Sequence, residues 1–359
     1  MSQANPVKHS KSGILLLEKP RDMTSFGVVS RLRRLVGERK IGHTGTLDPF
    51  AEGLLAICVG RATSVVQFMD AYDKTYRVRI CFGQATDTMD QTGTVLEQHL
   101  FTEAELAAQQ ACDFAPLRQA VAALPGQVMQ LPPMYSAVKM DGQPLYKLAR
   151  SGQTIERQPR PITIFSAELD QVICRTASEP DGPYLAADVT LKVSKGTYIR
   201  VIADELGRTL GWYAHAERLE RLAVGPFNRD QAITLMQLEA LFETVAERPA
   251  AQDHVWEQLA ATGQVHSLAE ALAHLPVLQL PQQLALRLTQ GQRLVLDLMA
   301  LADLALPPKI LDKSQQLALY SPKGLLGVGH LEPESETPKT TYRLVTERIF
   351  LTHEDLLSN

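Results

Sequence analysis

One carboxylate in the chain stands in a setting that suits chemistry. Asp48 lies within Gly42-His43-Thr44-Gly45-Thr46-Leu47-Asp48-Pro49-Phe50-Ala51-Glu52-Gly53-Leu54-Leu55, a run rich in small and turn-forming residues. Glycines supply backbone angles closed to other residues, and Pro49 confines the residue before it to extended or turn geometry. The carboxylate is therefore held by backbone constraint rather than on a mobile arm. Leu54-Leu55-Ala56-Ile57-Cys58-Val59 follows as a continuous apolar run and reads as a buried strand, which would make the loop a rigid mount for a catalytic group. On spacing alone such a segment is more often an ordinary turn or helix cap than a catalytic loop, and both readings stand at this point.

The elements that must position this loop follow from periodicity. Gly13 to Glu18 reads as a short strand closed by Lys19-Pro20, and Thr24 or Ser25 can cap a helix with Val28, Val29, Leu32, Leu35 and Val36 on one face. The opposite face carries Arg31, Arg33 and Arg34, followed by Arg39 and Lys40, as either a solvated face or a phosphate-contacting one. Ala62 to Met69 reads as a helix and Thr75 to Phe82 as a strand. Residues 98–120 read as helical, Gly126 to Lys139 as a proline-broken loop, and Gly142 to Arg150 as a turn and short helix. Strands are expected over Ile162–Val172 and Leu185–Val193, joined by the polar loop Thr176 to Pro183, and Gly196 and Thr197 open a helix through Ile199, Ile202, Leu206 and Leu210. Residues 235–275 are mainly helical in pattern, with Trp256 near the middle. Short strand-like pieces then follow at Gln279–Leu288, Arg293–Leu298, Gln316–Ser321, Leu325–Leu331 and Tyr342–Val345, with a Glu-Pro-rich segment over 332–340; such spacing suggests a small β-barrel.

Composition bounds the function. At 359 residues, 45% hydrophobic and 21% charged, the chain is long enough for a large core and a smaller second domain. Cys58, Cys81, Cys112 and Cys174 are widely spaced and read as reduced, buried thiols of a cytoplasmic protein, and no apolar stretch approaches the length of a membrane span. Net charge is −4, but residues 1–79 carry thirteen Lys and Arg against seven Asp and Glu, whereas residues 231–359 carry nine against fifteen. Basic charge thus gathers around the Asp48 loop, as an enzyme acting on a polyanion needs. There is no CxxC, HExxH, P-loop or strand-linked GxGxxG, and the nine histidines are scattered, so no metal or redox cofactor is expected.

His43 to Leu55, as HxGTLDPxAxGxL, closely resembles the nucleophile motif of the TruB family of tRNA pseudouridine synthases. Four further segments match that family in order: Glu18-Lys19-Pro20 with Met23-Thr24-Ser25; Asp73-Lys74-Thr75-Tyr76-Arg77; Pro132 to Lys139; and Ser194 to Arg200, continuing to Asp204-Glu205-Leu206-Gly207 and Arg218 to Val224. The resemblance covers roughly residues 13–235 and departs mildly at Asp22, where the family commonly has glycine. It implies an α+β fold, a mixed and largely antiparallel sheet flanked by helices, followed by a small PUA-like β-barrel. The implied division is a disordered tail over 1–12, a catalytic domain over 13–235, a helical connection over 236–277, the PUA-like RNA-binding domain over 278–350 and a tail over 351–359.

The same resemblance implies isomerisation of a uridine in the T-loop of tRNA, position 55, in a bacterial-type enzyme that also assists tRNA folding. Asp48 would be the nucleophile, attacking either C1′ or the uracil ring, and Arg200 would keep it ionised and oriented. Tyr76 would stack on the base, with its hydroxyl a candidate for removing the C5 proton, while Tyr198 and Leu219 line the pocket. A base stacked inside folded RNA cannot be reached, so the nucleotide must flip out, and His43 would fill the vacated stack. The partner would be the T-arm and elbow of tRNA, bound by a monomer without an obligatory protein partner or membrane. Three other classes compete. A non-catalytic RNA-folding protein would not need Asp48, Tyr76 and Arg200 together, and a guide-RNA-dependent synthase usually carries a basic tail where this one is acidic. A hydrolytic glycosidase generally needs two cooperating carboxylates, and Asp48 has no motif partner.

Overall fold

The computed structural model describes residues 11–136, 139–140, 143–150, 155–176, 182–244, 249–304, 315–334 and 341–357. Most of the tail expected over 1–12, Ala137-Val138 of the third matching segment, the centre of the Thr176–Pro183 loop and the second half of the 332–340 segment lie outside them. Among the described residues no helix is long and apolar enough to cross a membrane.

The main sheet has eleven strands. Its principal path runs Ile233–Thr234, Gly13–Lys19, Glu52–Val59, Ala214–Val224, Lys74–Phe82, Tyr184–Val193, Arg160–Arg175 and Gly126–Gln130. Two contacts are parallel, Gly13–Lys19 with Ile233–Thr234 and Glu52–Val59 with Ala214–Val224; the others along the path are antiparallel, as expected for a mixed sheet of this class.

The pleat explains the hydrophobic patterns. In Gly13–Lys19 and Glu52–Val59, Leu15, Leu17, Leu55 and Ile57 face a core closed by the helices Ser25–Val36, Leu235–Glu243 and Pro249–Ala261, where Trp256 packs. The alternate residues Ile14, Leu16, Leu54 and Ala56 face a second core on the other side. Both faces are covered, so these strands read as unbroken apolar runs. In Lys74–Phe82 and Tyr184–Val193 only one face is covered: Val78, Ile80, Leu185, Ala187 and Val189 pack inward, while Arg79 turns out to a bidentate pair with Asp188 at 2.7 and 2.8 Å. Those strands alternate accordingly.

The helix Ile199–Leu210 lies on the inward face, with Ile199, Ile202, Ala203 and Leu206 buried. It approaches the neighbouring strand so closely that a Cβ at Gly207 would fall 2.4 Å from the Ala214 nitrogen, which is why glycine stands there. Thr24 caps Ser25–Val36, its hydroxyl accepting from the Gly27 amide at 2.9 Å.

Apart from the main sheet, a curled five-stranded sheet consistent with a PUA-like unit is ordered Val277–Gln279, Leu317–Ser321, Gly324–Pro333, Thr341–Ile349 and Leu294–Asp297. It has its own core around Leu278, Leu294, Leu317, Leu319 and Leu331, and turns Ala318 and Val328 into the core shared with Ile14, Leu16, Leu54 and Ala56 of the main sheet.

Four sequence expectations need correction. Gln279–Leu288 is not a strand: pairing ends at Gln279 and Gln282–Thr289 is a helix, opened at Pro281 and burying Ala285 and Leu288 three residues apart. Gly126–Gln130, read as part of a loop, is the edge strand against Arg160–Ile164. Ala214–Val224, read as motif without structure, is a central strand whose Glu217, Arg218, Glu220 and Arg221 obscured its periodicity. Of the four cysteines Cys58 is buried but Cys112 is exposed at a helix end.

Candidate active site

The Asp48 loop is sunk into the protein by its apolar members. Leu47, Phe50 and Ala51 are buried in the main core, and a side chain of Leu or Phe size stabilises its position by roughly 1.5–3 kcal/mol on burial. Polar ties complete the hold. The Ser25 hydroxyl both accepts from the Leu47 amide at 3.0 Å and donates to the Leu47 carbonyl at 3.1 Å, and the Thr44 amide donates to the Ala56 carbonyl at 3.0 Å. The Pro49 carbonyl, directly after Asp48, accepts from the Asp22 amide at 2.8 Å and from Lys19 Nζ at 3.2 Å. Asp22 sits at φ 62°, in the left-handed region, which accounts for the glycine expected there.

Arg200 is the charged centre of the site. Only 3% exposed, it directs Nε to Asp48 Oδ2 at 2.9 Å, Nη1 to the Thr88 carbonyl at 2.6 Å and Nη2 to the Tyr135 carbonyl at 2.9 Å. Three segments distant in sequence are thus joined by one planar fork. Asp90 approaches Nη1 at 3.4 Å and is itself held, its Oδ1 accepting from the Thr88 hydroxyl and from the Thr92 amide and hydroxyl. Sequence reasoning missed Asp90. The run Asp87-Thr88-Met89-Asp90 with Thr92 signals a turn, and nothing local indicates that the turn meets Arg200.

Asp48 opens into a cavity of about 640 Å³, a volume in the range of small-ligand pockets, whose walls include Tyr76, Tyr198, Arg200 and Leu219. Five of the six expected site residues are therefore brought together. His43 is not among the cavity's walls; it ends the short strand Ile41–His43 that enters the loop, opposite Ile57, and its buried Nδ1 has no hydrogen-bond partner among the described residues.

The electrostatics follow from this packing. Burial pushes the Asp48 carboxyl above its ordinary value and Asp90 adds to that rise, while Arg200 opposes it; the side chain keeps about 37% of its surface open to the cavity. Burial likewise lowers the His43 imidazole, assisted by Arg221. Lys19 is lowered to about 8 by burial against the pull of Asp22 and Asp48, and Lys74 to about 8 by burial and then by Arg221. Burial raises the Tyr198 phenol, which stays protonated at neutral pH. Among the described residues no group of three His, Cys, Asp or Glu stands close enough to hold a metal ion.

Residues 33–199 match the model of the TruB family pseudouridylate synthase N-terminal domain, and residues 200–272 that of the tRNA pseudouridylate synthase B C-terminal domain. A Burkholderia mallei protein named tRNA pseudouridine synthase B is 38% identical over 335 residues, spanning 91% of this chain and 97% of that one. The protein of that name from Geobacter sulfurreducens is 39% identical over 279 residues, covering 78% and 81% of the two chains. Among solved structures, an archaeal box H/ACA sRNP Nop10-Cbf5 complex shares the fold at a TM-score of 0.65 and 19% identity, covering 99% of this chain and 91% of that one. An H/ACA RNP bound to a substrate RNA containing 2′-deoxyuridine does so at 0.64 and 20%, covering 98% and 89%. With identity of this order over nine-tenths of its length, the chain belongs to the TruB family of pseudouridylate synthases.

Proposed function

We propose that the enzyme converts a uridine in the T-loop of tRNA, position 55, to pseudouridine, with Asp48 as the nucleophile. The observation that carries this reading is the Asp48–Arg200 pair in the wall of a cavity also lined by Tyr76, Tyr198 and Leu219. The bond from N1 to C1′ breaks and a bond from C5 to C1′ forms; the C5 proton leaves and N1 gains one, so no atom is added. If Asp48 attacks C1′ it is displaced as the C5–C1′ bond closes; if it attacks the ring it is expelled afterwards, as the C5 proton leaves and the ring double bond is restored. Arg200 holds the carboxylate ionised and aimed, and a carboxylate preset in this way loses little orientational freedom on the way to the transition state. The detached uracil must turn without escaping, which suits a cavity walled by aromatic and apolar groups.

In this reading tRNA is flipped at the target nucleotide, and His43, neutral at physiological pH and beside the loop, fills the gap. The exposed Arg34 and Arg39 meet the phosphate backbone. Arg31 is engaged with Glu239 and Arg33 with the Ile41 carbonyl, so part of the basic face belongs to the fold. The protein acts as a monomer without an obligatory protein partner, and residues 278–350 form an accessory domain against the acceptor end of tRNA. Release of tritium from tRNA carrying 5-³H-uridine tests the reading. Release limited to one equivalent at position 55 is expected, and equal release from unstructured RNA would contradict recognition of the folded loop. A role in tRNA folding would persist in Asp48→Asn, which keeps the binding surface.

A further inference from the structure

Arg221 lies on the central strand Ala214–Val224 and is 1% exposed, buried in the wall of the cavity that holds Asp48. Its Nε donates to the Leu54 carbonyl at 2.8 Å and its Nη2 to the Gly45 carbonyl at 3.0 Å. These carbonyls bracket the segment bearing Asp48, one three residues before it and the other six after. No ion pair to Arg221 is seen among the described residues, so a buried guanidinium is spent on two neutral backbone acceptors. Removing a cation from water costs several kcal/mol, and an apolar side chain would fill the same place without that cost. A strand held only by packing has no need of it.

The backbone fixes the far end of the same segment independently. Arg221 opposes Gly53 in the parallel pairing, and a Cβ on Gly53 would stand 2.5 Å from the Arg221 carbonyl oxygen. The exit of the loop is thus set by the strand, whereas the side chain reaches its entrance, where a Cβ on Gly45 would meet Nη1 at 3.3 Å and Lys74 Cε at 3.7 Å. We propose that Arg221 is a positioning residue for the isomerisation: its guanidinium ties Gly45 to Leu54 and so sets where Asp48 stands relative to Arg200. The inference rests on the reading of Asp48 as nucleophile. Arginine suits this place because Nε and Nη2 diverge from one rigid planar fork to two separated carbonyls; lysine keeps the charge but brings its donors together at a single mobile point, without the fork that fixes the spacing.

The test compares wild type, Arg221→Lys and Arg221→Ala by tritium release under single-turnover and steady-state conditions, by tRNA affinity, and by hydrogen exchange over residues 45–54. A displacement of about 1 Å at a reacting group lowers the rate on the order of 100-fold. Arg221→Lys is accordingly expected to lose about 10- to 100-fold in kcat with KM and tRNA Kd within about twofold of wild type. Exchange should quicken in the loop but not in Gly13–Lys19, and free guanidinium should restore part of the kcat of Arg221→Ala. Wild-type kcat in Arg221→Lys, or loss of tRNA affinity with kcat intact, would overturn the proposal. Global unfolding of both variants would overturn it too, since the residue would then carry the fold and not the loop. Wild type without tritium release would sink the catalytic reading instead, and loop exchange would still judge the tie.

Discussion

Among the described residues one cluster of acids and bases surrounds Arg200 and another stands on the C-terminal sheet. In the second, Arg343 pairs with Glu332 and Glu334, Arg293 with Glu334, and His330 places Nδ1 3.1 Å from Glu347 and Nε2 3.4 Å from Glu332. By pair count it is the richer cluster. Yet Arg343 and Arg293 are 42% and 61% exposed against 3% for Arg200, and their partners are side chains free to rearrange. Arg200 by contrast spends two of its three arms on backbone carbonyls of separate loops. Water screens the first kind of pairing, whereas the second fixes a charge in place. Catalytic candidacy therefore follows burial and backbone anchoring rather than the number of charges.

This contrast can be broken at several points. The largest effect is expected at Asp48: Asp48→Asn should lose about 10⁴-fold or more in kcat while tRNA affinity stays within a few fold, as read by tritium release beside filter binding. Next comes Arg200→Lys, with a loss of about 10²- to 10³-fold. Arg200→Met should in addition lose about 3–5 kcal/mol of stability in urea unfolding, because Asp48 and Asp90 then lack their cation.

The pH profile gives a subtler test. As the proposed nucleophile Asp48 must be ionised, and its carboxyl is raised, so kcat/KM should fall on acidification through a pKa above the ordinary carboxylate value. Arg200→Met should move that limb to still higher pH, since the residue opposing the rise is gone. In the exposed cluster Arg343 lowers Glu332, so that pair adds no acid limb. Arg343→Gln should accordingly leave kcat/KM within about twofold. A loss there matching that of Arg200→Lys would end the comparison. The smallest effect is expected from Asp22→Gly, which relieves a left-handed backbone and should stabilise by about 0.5–1 kcal/mol without changing kcat.

Much of this was legible in residues taken locally. The cap at Thr24, the helix Ile199–Leu210, the two-sided burial of Glu52–Val59 and the constraint on Asp48 by Pro49 and its glycines all arise between neighbours a few positions apart. Local periodicity and turn chemistry are properties of short segments, so they can be read without a fold. The helix after Pro281 was misread because a short apolar run fits either period. The strand Ala214–Val224 was missed because its charges have partners far away: Arg221 reaches carbonyls 167 and 176 positions back, and Glu217 accepts from the Tyr184 hydroxyl 33 positions back.

Asp90 shows the limit most plainly. It stands 110 residues from Arg200 and has the local look of a turn residue, and only the packing of the Thr86–Thr92 turn against the helix start makes it part of the site. Arg200 itself reads as a surface cation at a helix start until the sheet closes over it. Sequence by itself determined that the chain carries a backbone-held carboxylate, a set of matching motifs and the strands and helices to mount them. Which charges are buried, and hence which are fixed rather than screened, was decided by tertiary structure alone, because burial depends on contacts between segments that no local pattern records.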